Sequence, residues 1–352
     1  MIEFVQRKEK YDMFNMYNRR YTGSKHKLME WIRELIINNC SGKTFFDVFA
    51  GTGVVTEYLL NDFEKYIIND FLYSNEIIYK GFLLQEEYDI DKLVKITKDY
   101  NNKDRLKLEE NYVSNNFGDK YFNREDAKII GKIRDDLECN KINKKINNKE
   151  YCILLSSLLF SMDKIANTCG HYDAYRKIKK IDSKFKYELI LPKKLDKKQK
   201  IEIYREDANK LAKKVKADIA FIDPPYNSRQ YSRFYHVLEN ITKWEKPELY
   251  GIALKPKEEN MSEYCKVSAP KIFEELIKSL NVKYIVVTYN NTYNSKSSSS
   301  KNKITLKEIK EILEKVGETK IFDKPYKFFN AGKTDFKDHK EYVFITKVKK
   351  YE

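Results

Sequence analysis

One short stretch of the chain combines a carboxylate, a free carbonyl and an aromatic ring: Asp223, Pro224, Pro225 and Tyr226. The apolar residues 219–222 before it predict a buried strand of a parallel sheet. Because proline has no backbone N–H, the strand has to end at Asp223. Ligands of open α/β sheets bind at this end of the strands. A flat base with an exocyclic amine fits, whereas the simpler alternative is a strand followed by a Pro-Pro turn.

A glycine-rich turn between a predicted strand and a predicted helix indicates the first βα unit of a nucleotide-binding fold. Gly51 and Gly53 match the dinucleotide fingerprint, but Thr56 stands where its third glycine is expected. Asp47, which precedes the glycines, would repel a pyrophosphate but can reach a cationic amino group through water. The turn therefore favours S-adenosylmethionine (AdoMet), which has an α-amino group and no phosphate.

Two further acids lie at the ends of predicted strands. Asp70 ends the strand predicted at 66–70, at a place where an acid can accept hydrogen bonds from ribose hydroxyls. Asp207 lies between a short strand and a helix predicted at 207–214. It either accepts a hydrogen bond from the adenine amine of AdoMet or caps the helix.

A small element near the start of the chain precedes a helix predicted at 25–39. Gly23 permits a tight turn, and Ser24 is a plausible helix cap. Lys25 and the backbone N–H groups of a helix start can hold a carboxylate or a phosphate. Taken alone, this stretch favours an ordinary basic helix start over a ligand site.

The character of the chain changes between about residues 85 and 194. This segment is highly charged and lacks glycine-rich strand–turn–helix units. Its patterns predict helices at 90–100, 124–138 and 149–167. We interpret it as a mainly helical insertion between two parts of a catalytic domain, 1–84 and 195–352.

Aromatic and basic residues are mixed in two stretches, 170–180 in the insertion and 227–236 after Tyr226. This composition can stack on bases and grip phosphates, although a solvated basic loop has it too. Residues 227–269 are poorly periodic and predict a long active-site loop. The predicted DNA contacts are His171, Tyr172, Tyr175, Arg176, Lys179, Asn227, Arg229, Tyr231 and Arg233.

The composition is that of a globular protein with a polyanionic partner. The 352 residues are 41% hydrophobic and 34% charged, and the net charge is +15. Such a charge favours a nucleic acid as partner. An AT-rich genome would also enrich the chain in Lys, Asn, Ile and Tyr, so charge alone does not decide.

The five cysteines contain no C-x-x-C pair, which predicts free thiols in a reducing cytoplasm. Cys169 and His171 form a close Cys/His pair, but a zinc site would need two more ligands nearby. We therefore expect no metal. The polar first thirty residues argue against a signal peptide. No apolar run approaches the ~18 residues that span a bilayer, so we expect no membrane partner.

Together these motifs resemble the Dam-type (D12 class, alpha-group) DNA N6-adenine methyltransferases. That family orders a Y/W-x-G-x-K element, a glycine-rich AdoMet loop, an inserted target-recognition domain and a D-P-P-Y motif. The corresponding segments here are 21–25, 47–53, about 85–194 and 223–226. The resemblance implies a Rossmann-like α/β fold: a doubly wound, mostly parallel seven-stranded sheet with its last strand antiparallel.

The resemblance also implies roles for single residues. Asp223, Pro224, Pro225 and Tyr226 would form the catalytic motif. Residues contacting AdoMet or framing its pocket would be Tyr21, Gly23, Lys25, Asp47, Phe49, Ala50, Gly51, Thr52, Gly53, Asp70, Asp207 and Asp223. The adenine would be flipped out of double-stranded DNA. Asp223 and the Pro224 carbonyl would accept its N6–H bonds, and Tyr226 would stack on it.

The stretches 170–175 and 227–232 resemble restriction-associated members of the family, some of which act on CATG. This resemblance implies a restriction–modification enzyme, with a cognate endonuclease encoded nearby, and we expect a monomer. Other acceptors are cytosine N4, an RNA base or a protein Gln amide, but Asp223 argues against cytosine and Gln enzymes, whose motifs usually begin with Ser or Asn. A binding protein with an inactive AdoMet fold is disfavoured by the intact Gly51 and Gly53.

Overall fold

The computed structural model describes residues 15–16, 19–21, 23–193, 195, 199–291, 301–325 and 339–349. Contacts divide the described residues into two compact units. The helical unit comprises those in Met1–Ser24, Leu72–Asp196 and Tyr231–Glu259. The sheet unit comprises those in Lys25–Phe71, Lys197–Gln230 and Asn260–Glu352. The helical unit thus includes the described part of the predicted insertion together with segments on either side of it.

The sheet unit contains a seven-stranded sheet with the order β3-β2-β1-β4-β5-β7-β6. Its strands are β1 (Thr44–Asp47), β2 (Lys65–Asn69), β3 (Lys200–Tyr204), β4 (Ile219–Ile222), β5 (Tyr284–Asn290), β6 (Gly317–Pro325) and β7 (Lys340–Val348). Strands β1 to β5 pair in parallel, whereas β7 pairs antiparallel with both β5 and β6. The predicted α/β fold with an antiparallel last strand is therefore confirmed.

Twelve α-helices lie in the described parts of the two units. They are α1 (Met29–Asn39), α2 (Val54–Tyr58), α3 (Tyr73–Phe82), α4 (Ile90–Asn101), α5 (Tyr112–Phe117), α6 (Arg124–Ile142), α7 (Asn148–Ile165), α8 (Ala208–Ala212), α9 (Tyr231–Phe234), α10 (His236–Lys243), α11 (Ala269–Ser279) and α12 (Leu306–Glu314). Short 3₁₀ turns lie at His26–Leu28, Arg105–Lys107 and Glu263–Cys265.

The core of the sheet unit lies between the sheet and its helices. Strand β4 is buried along its whole length, as expected for a central parallel strand covered on both faces. One apolar cluster joins Ile222 of β4 and Val287 of β5 to Phe273 of α11 and Leu313 of α12. Because parallel strands end on one side, β1, β2, β4 and β5 present their carboxyl ends at a common edge.

The helical unit is built around α7, which is buried over most of its length. Its start carries a capping box, in which the Asn147 side chain accepts from the backbone of Glu150 and the Glu150 side chain accepts from that of Asn147. The three predicted helices of the insertion are confirmed as α4, α6 and α7. The predicted long loop after residue 226 is partly wrong, because it contains α9 and α10.

Two sequence-based expectations on cysteines and membranes can be compared with the structure. All five cysteines are free, as predicted. In the described parts of the chain, no helix is both long and apolar enough to cross a membrane.

Candidate active site

The glycine-rich turn leaves β1 and enters α2 through left-handed backbone. Gly51 has φ +54° and Gly53 has φ +79°, conformations that glycine adopts without strain. The backbone N–H of Val48 donates to Phe221 O at 3.0 Å, and that of Ala50 donates to Asn69 O at 2.8 Å. The turn is thus tied to both neighbouring strands, and its position at the edge of the sheet is fixed.

Asp47, at the end of β1, is a buried carboxyl that is only half satisfied. Its Oδ2 accepts from Thr56 Oγ1 at 2.8 Å, so the residue that replaces the third glycine holds this acid. Its Oδ1 is buried and has no hydrogen-bond partner among the described residues. Burial above all, helped by the charges of Asp223 and Asp70 and opposed by the Thr56 hydrogen bond, raises the pKa of Asp47 to about 7. An orphaned buried acceptor of this kind fits a cationic amino group.

The two other candidate acids have clear local partners. Asp70, directly after β2, accepts from the backbone N–H of Gly51 at 3.0 Å and so ties β2 to the glycine turn. Asp207 accepts from the backbone N–H of Lys210 at 3.0 Å and is the N-cap of α8. Of the two alternatives for Asp207, the helix cap is the one observed; contact with AdoMet stays a prediction for both acids. Phe49 packs edge-on against Tyr264, with ring centroids 5.0 Å apart.

Asp223 lies where β4 ends and receives three donors on one oxygen. Its Oδ1 is 3.1 Å from Lys25 Nζ, and it accepts from the Tyr226 hydroxyl at 2.5 Å and from Thr288 Oγ1 at 2.8 Å. Its Oδ2 has no hydrogen-bond partner in the parts of the chain that the structure describes, and the side chain is 19% exposed. One carboxylate oxygen is therefore fixed and the other is available to a ligand.

Lys25 is a buried cation between two acids and a phenol. Its Nζ donates to the Tyr226 hydroxyl at 2.6 Å and is 3.9 Å from Glu341 Oε2. Burial raises the pKa of Glu341, while the charge of Lys25 lowers it. Burial and the neighbouring Asp223 also raise the pKa of Tyr226 well above its usual value. The phenol therefore stays protonated and donates to Asp223.

The backbone of the motif is held by later segments of the sheet unit. The N–H of Lys303 donates to Tyr226 O at 2.7 Å, and the Tyr289 hydroxyl donates to it at 3.3 Å. The rings of Tyr226 and Tyr289 are tilted, with centroids 4.4 Å apart. Pro224 is buried and Pro225 is partly exposed. The sequence alone did not indicate Thr288, Tyr289 or Glu341. Only the register of β5 and β7 brings them to Asp223, Tyr226 and Lys25, respectively.

Tyr21 and Gly23 belong to the helical unit. The ring of Tyr21 stacks on Tyr235, with centroids 4.8 Å apart. Gly23 has φ +86°, and a Cβ there would lie 3.3 Å from the hydroxyl of Tyr231. The predicted cap by Ser24 is wrong: among the described residues its buried hydroxyl has no partner, because the helix begins with a 3₁₀ turn that follows Lys25.

The predicted DNA contacts between residues 171 and 179 differ in how far they are exposed. Tyr172 is buried at 1% exposure, and its hydroxyl donates to Asp163 at 2.7 Å. Its side chain points into the helical core, and its contact with DNA stays a prediction. His171 stacks on Phe234, with ring centroids 4.4 Å apart. Tyr175 is half-buried, and Arg176 is exposed.

The other predicted DNA contacts lie in both units. Lys179 is exposed, and Tyr231 is half-buried. Asn227 Oδ1 accepts from the backbone N–H of Arg229 at 3.1 Å and shapes the turn after Tyr226. Arg233 Nη1 donates to Pro256 O at 2.7 Å, which engages part of its guanidinium within the protein. Contact of these residues with DNA stays a prediction.

Comparison with known proteins decides the family. The family model of the D12 class N6 adenine-specific DNA methyltransferases matches residues 21–293. The chain belongs to this family. It is therefore a DNA methyltransferase of the adenine-N6 type, and membership implies the use of AdoMet. Cytosine N4, RNA and protein Gln, the other predicted acceptors, are not those of this family.

Several relatives are named as enzymes of type II systems. The D12-class chain is 29% identical to the type II methyltransferase M.NlaIII of Neisseria lactamica, over 92% of this chain and 98% of that protein. It is 28% identical to the type II methyltransferase M.CviAII of Paramecium bursaria Chlorella virus 1, over 92% and 97%. The type II methyltransferase M.FokI of Planomicrobium okeanokoites is 33% identical over 92% of this chain, which spans 52% of M.FokI.

Proposed function

We propose that this enzyme methylates an adenine flipped out of double-stranded DNA, with Asp223 and the Pro224 carbonyl as acceptors for the N6 amine. The observation that carries the proposal is the asymmetry of the Asp223 carboxylate. Lys25, Tyr226 and Thr288 surround Oδ1, while Oδ2 has no partner in the described structure. Oδ2 is the oxygen that accepts one N6–H.

The chemistry requires a change at the amine nitrogen. The lone pair of the adenine amine is delocalised into the ring, so the amine is a poor nucleophile. Hydrogen bonds to Asp223 and Pro224 favour a pyramidal nitrogen whose lone pair points at the methyl group. The base has to leave the duplex to reach these groups, and Tyr226 stacks on it there. The protein's contribution is positioning and the stabilisation of developing charge.

The sheet unit offers groups that fit AdoMet. Asp47, with its orphaned buried Oδ1, accepts from the α-amino group, and Asp70 accepts from the ribose. AdoMet, when bound, supplies the methyl group and the sulfonium leaving group. Asp223 and the Pro224 carbonyl would hold N6 while it takes the methyl group from the sulfur of AdoMet, and N6 would then give up one proton. Phe49, Ala50 and Thr52 line the turn beside the cofactor.

The biological setting proposed is a restriction–modification system, supported by the relatives named as type II methyltransferases. A cognate endonuclease would be encoded nearby, and the enzyme would act as a monomer. CATG is the proposed target. Long-read sequencing of DNA from cells that express the enzyme reads the modified site directly, and a different methylated sequence would overturn CATG.

The experiment on the chemistry is Asp223→Ala. Loss of the acceptor should raise the barrier by about 3 kcal/mol and slow methylation at least about a hundredfold, while AdoMet affinity changes far less. Single-turnover methylation of a duplex and calorimetry with AdoMet measure the two effects. The matched control is Glu311→Ala, an exposed acid of α12, which should leave both unchanged. Turnover of Asp223→Ala within threefold of the wild type would show that Asp223 has another role.

A further inference from the structure

A hydroxyl on the strand next to β4 reaches the catalytic carboxylate. Thr288 of β5 is 1% exposed, and its Oγ1 donates to Asp223 Oδ1 at 2.8 Å. In the parallel register, Ile222 of β4 pairs with Val287 of β5. The residues that follow, Asp223 and Thr288, therefore lie side by side on the same face of the sheet. The sheet itself sets this contact.

Thr288 is held in place by the strand that carries it. Lys25 Nζ also donates to the Tyr226 hydroxyl at 2.6 Å, so the ammonium has an alternative acceptor to the carboxylate. Thr288 is β-branched, which restricts its rotamers, and it lies within a ladder in which it pairs with Val343 of β7. Its hydroxyl is consequently a fixed reference point for the carboxylate.

We propose that Thr288 is a positioning residue for methyl transfer: its hydroxyl holds Oδ1 of Asp223 and thereby turns Oδ2 towards the flipped adenine. This inference rests on the proposed role of Asp223. Without the Thr288 hydroxyl, only Lys25 and Tyr226 remain on Oδ1. The carboxylate then has more freedom to rotate about its Cβ–Cγ bond, and Oδ2 is oriented less precisely towards the amine. Substrate and cofactor would still bind, since Thr288 is assigned no contact with either.

The test removes the hydroxyl and then restores it. Thr288→Val keeps the shape and should lower kcat about tenfold while the KM for AdoMet and DNA stays within about twofold. Thr288→Ser should recover most of kcat. The matched control is Thr346→Val, since Thr346 is a fully buried threonine of β7 whose Oγ1 bonds to Thr319 Oγ1 at 2.9 Å. It should lose stability like Thr288→Val but keep the wild-type kcat.

The possible outcomes separate the inference from the proposed function. A wild-type kcat in Thr288→Val, or a failure of Thr288→Ser to recover activity, overturns the positioning role alone. A wild-type protein that forms no N6-methyladenine from AdoMet and duplex DNA overturns the proposed function and the inference with it. If Thr288→Val does not fold, Thr288→Ala can replace it, because it also lacks the hydroxyl. A lowered kcat with an unchanged KM is then expected of Thr288→Ala, and a wild-type kcat would overturn the positioning role.

Discussion

At the scale of single residues, the protonation of Asp47 links the pH dependence of stability to the binding of the cofactor. Its pKa in the folded protein is about 7, well above the ordinary range of an aspartate, mainly because burial disfavours the charge. A raised carboxyl pKa means that the folded state holds the proton more tightly than the unfolded state does. The contribution of Asp47 to stability is thus complete below about pH 4 and is lost as the pH rises through about 7.

The first residue-scale prediction concerns proton release on AdoMet binding. A cationic amino group beside Asp47 favours the carboxylate, so binding at about pH 6 should release up to about one proton. Calorimetry in two buffers with different ionisation enthalpies measures the release. Asp47→Asn should bind AdoMet more weakly and release no proton. Its unfolding free energy should also lack the change with pH that the titration of Asp47 causes between about pH 6 and 8. Asp182→Asn, at an exposed acid, is the control; equal proton release by Asp47→Asn would place the amino group elsewhere.

Residue type and spacing identified the functional residues that lie within the motifs themselves. The order of Asp47, Gly51, Asp70 and Asp223 along the chain predicted the fold and the family. Thr288 could not be found in this way, because its function depends on the register between β5 and β4. Residue type and local spacing can identify the carboxylate proposed to react. Which side chains hydrogen-bond to it depends on how the strands pair.

At the scale of elements, the basic-aromatic stretch 170–180 is held to the helical unit by a buried tyrosine of its own, Tyr172. The Tyr172 hydroxyl donates to Asp163 of α7, and its backbone N–H donates to Phe234 O at 2.7 Å. Asp163 is a buried carboxyl whose pKa is raised by burial and lowered by Arg19 and by the Tyr172 hydrogen bond. Tyr172 therefore connects the loop to the helical core, while Arg176 stays at the surface.

A second prediction follows for the loop. Tyr172→Phe removes one donor from a buried carboxyl and should lower the unfolding free energy by about 1–3 kcal/mol. Arg176→Ala should leave stability within about 0.5 kcal/mol of wild type, and it should weaken DNA binding instead. Chemical denaturation and a DNA-binding titration measure the two quantities, with Tyr175→Phe as the control for loss of a phenol. Unchanged stability in Tyr172→Phe would mean that the Asp163 bond does not anchor the loop.

Helices with a long apolar pattern and a clear N-cap were predicted from the sequence. A short helix that follows a basic-aromatic stretch was not. The helices α6 and α7 have long apolar patterns and caps at Asn123 and Asn147. In α10, Val237, Leu238 and Ile241 are buried at helical spacing, but the preceding basic-aromatic stretch obscured this pattern. Tertiary burial, rather than propensity, defines such a short helix.

At the scale of the whole molecule, the net charge of +15 has two explanations. Either the positive charge is concentrated on the surface that binds DNA, or it is spread over the whole surface because the chain as a whole is rich in lysine. Many surface lysines already have acidic neighbours; Lys307 of α12, for example, lies 3.7 Å from Glu311. Exposed residues such as Arg176 and Lys179 lie instead in the basic-aromatic stretch 170–180. The two explanations differ in which lysines contribute to the salt dependence of binding.

The last prediction separates these explanations through counterion release. A lysine that contacts a phosphate contributes about 0.9 to the slope of log K against log salt, so its removal should flatten the slope by about one unit. We expect this of Lys179→Ala, with affinity lowered evenly on cognate and single-mismatch duplexes. Lys307→Ala, an equally simple loss of one charge, should leave the slope unchanged. Fluorescence anisotropy at several salt concentrations measures both slopes. Equal flattening by the two variants would mean that the charge acts as a diffuse property of the surface and that residues 171–179 are no DNA-binding element.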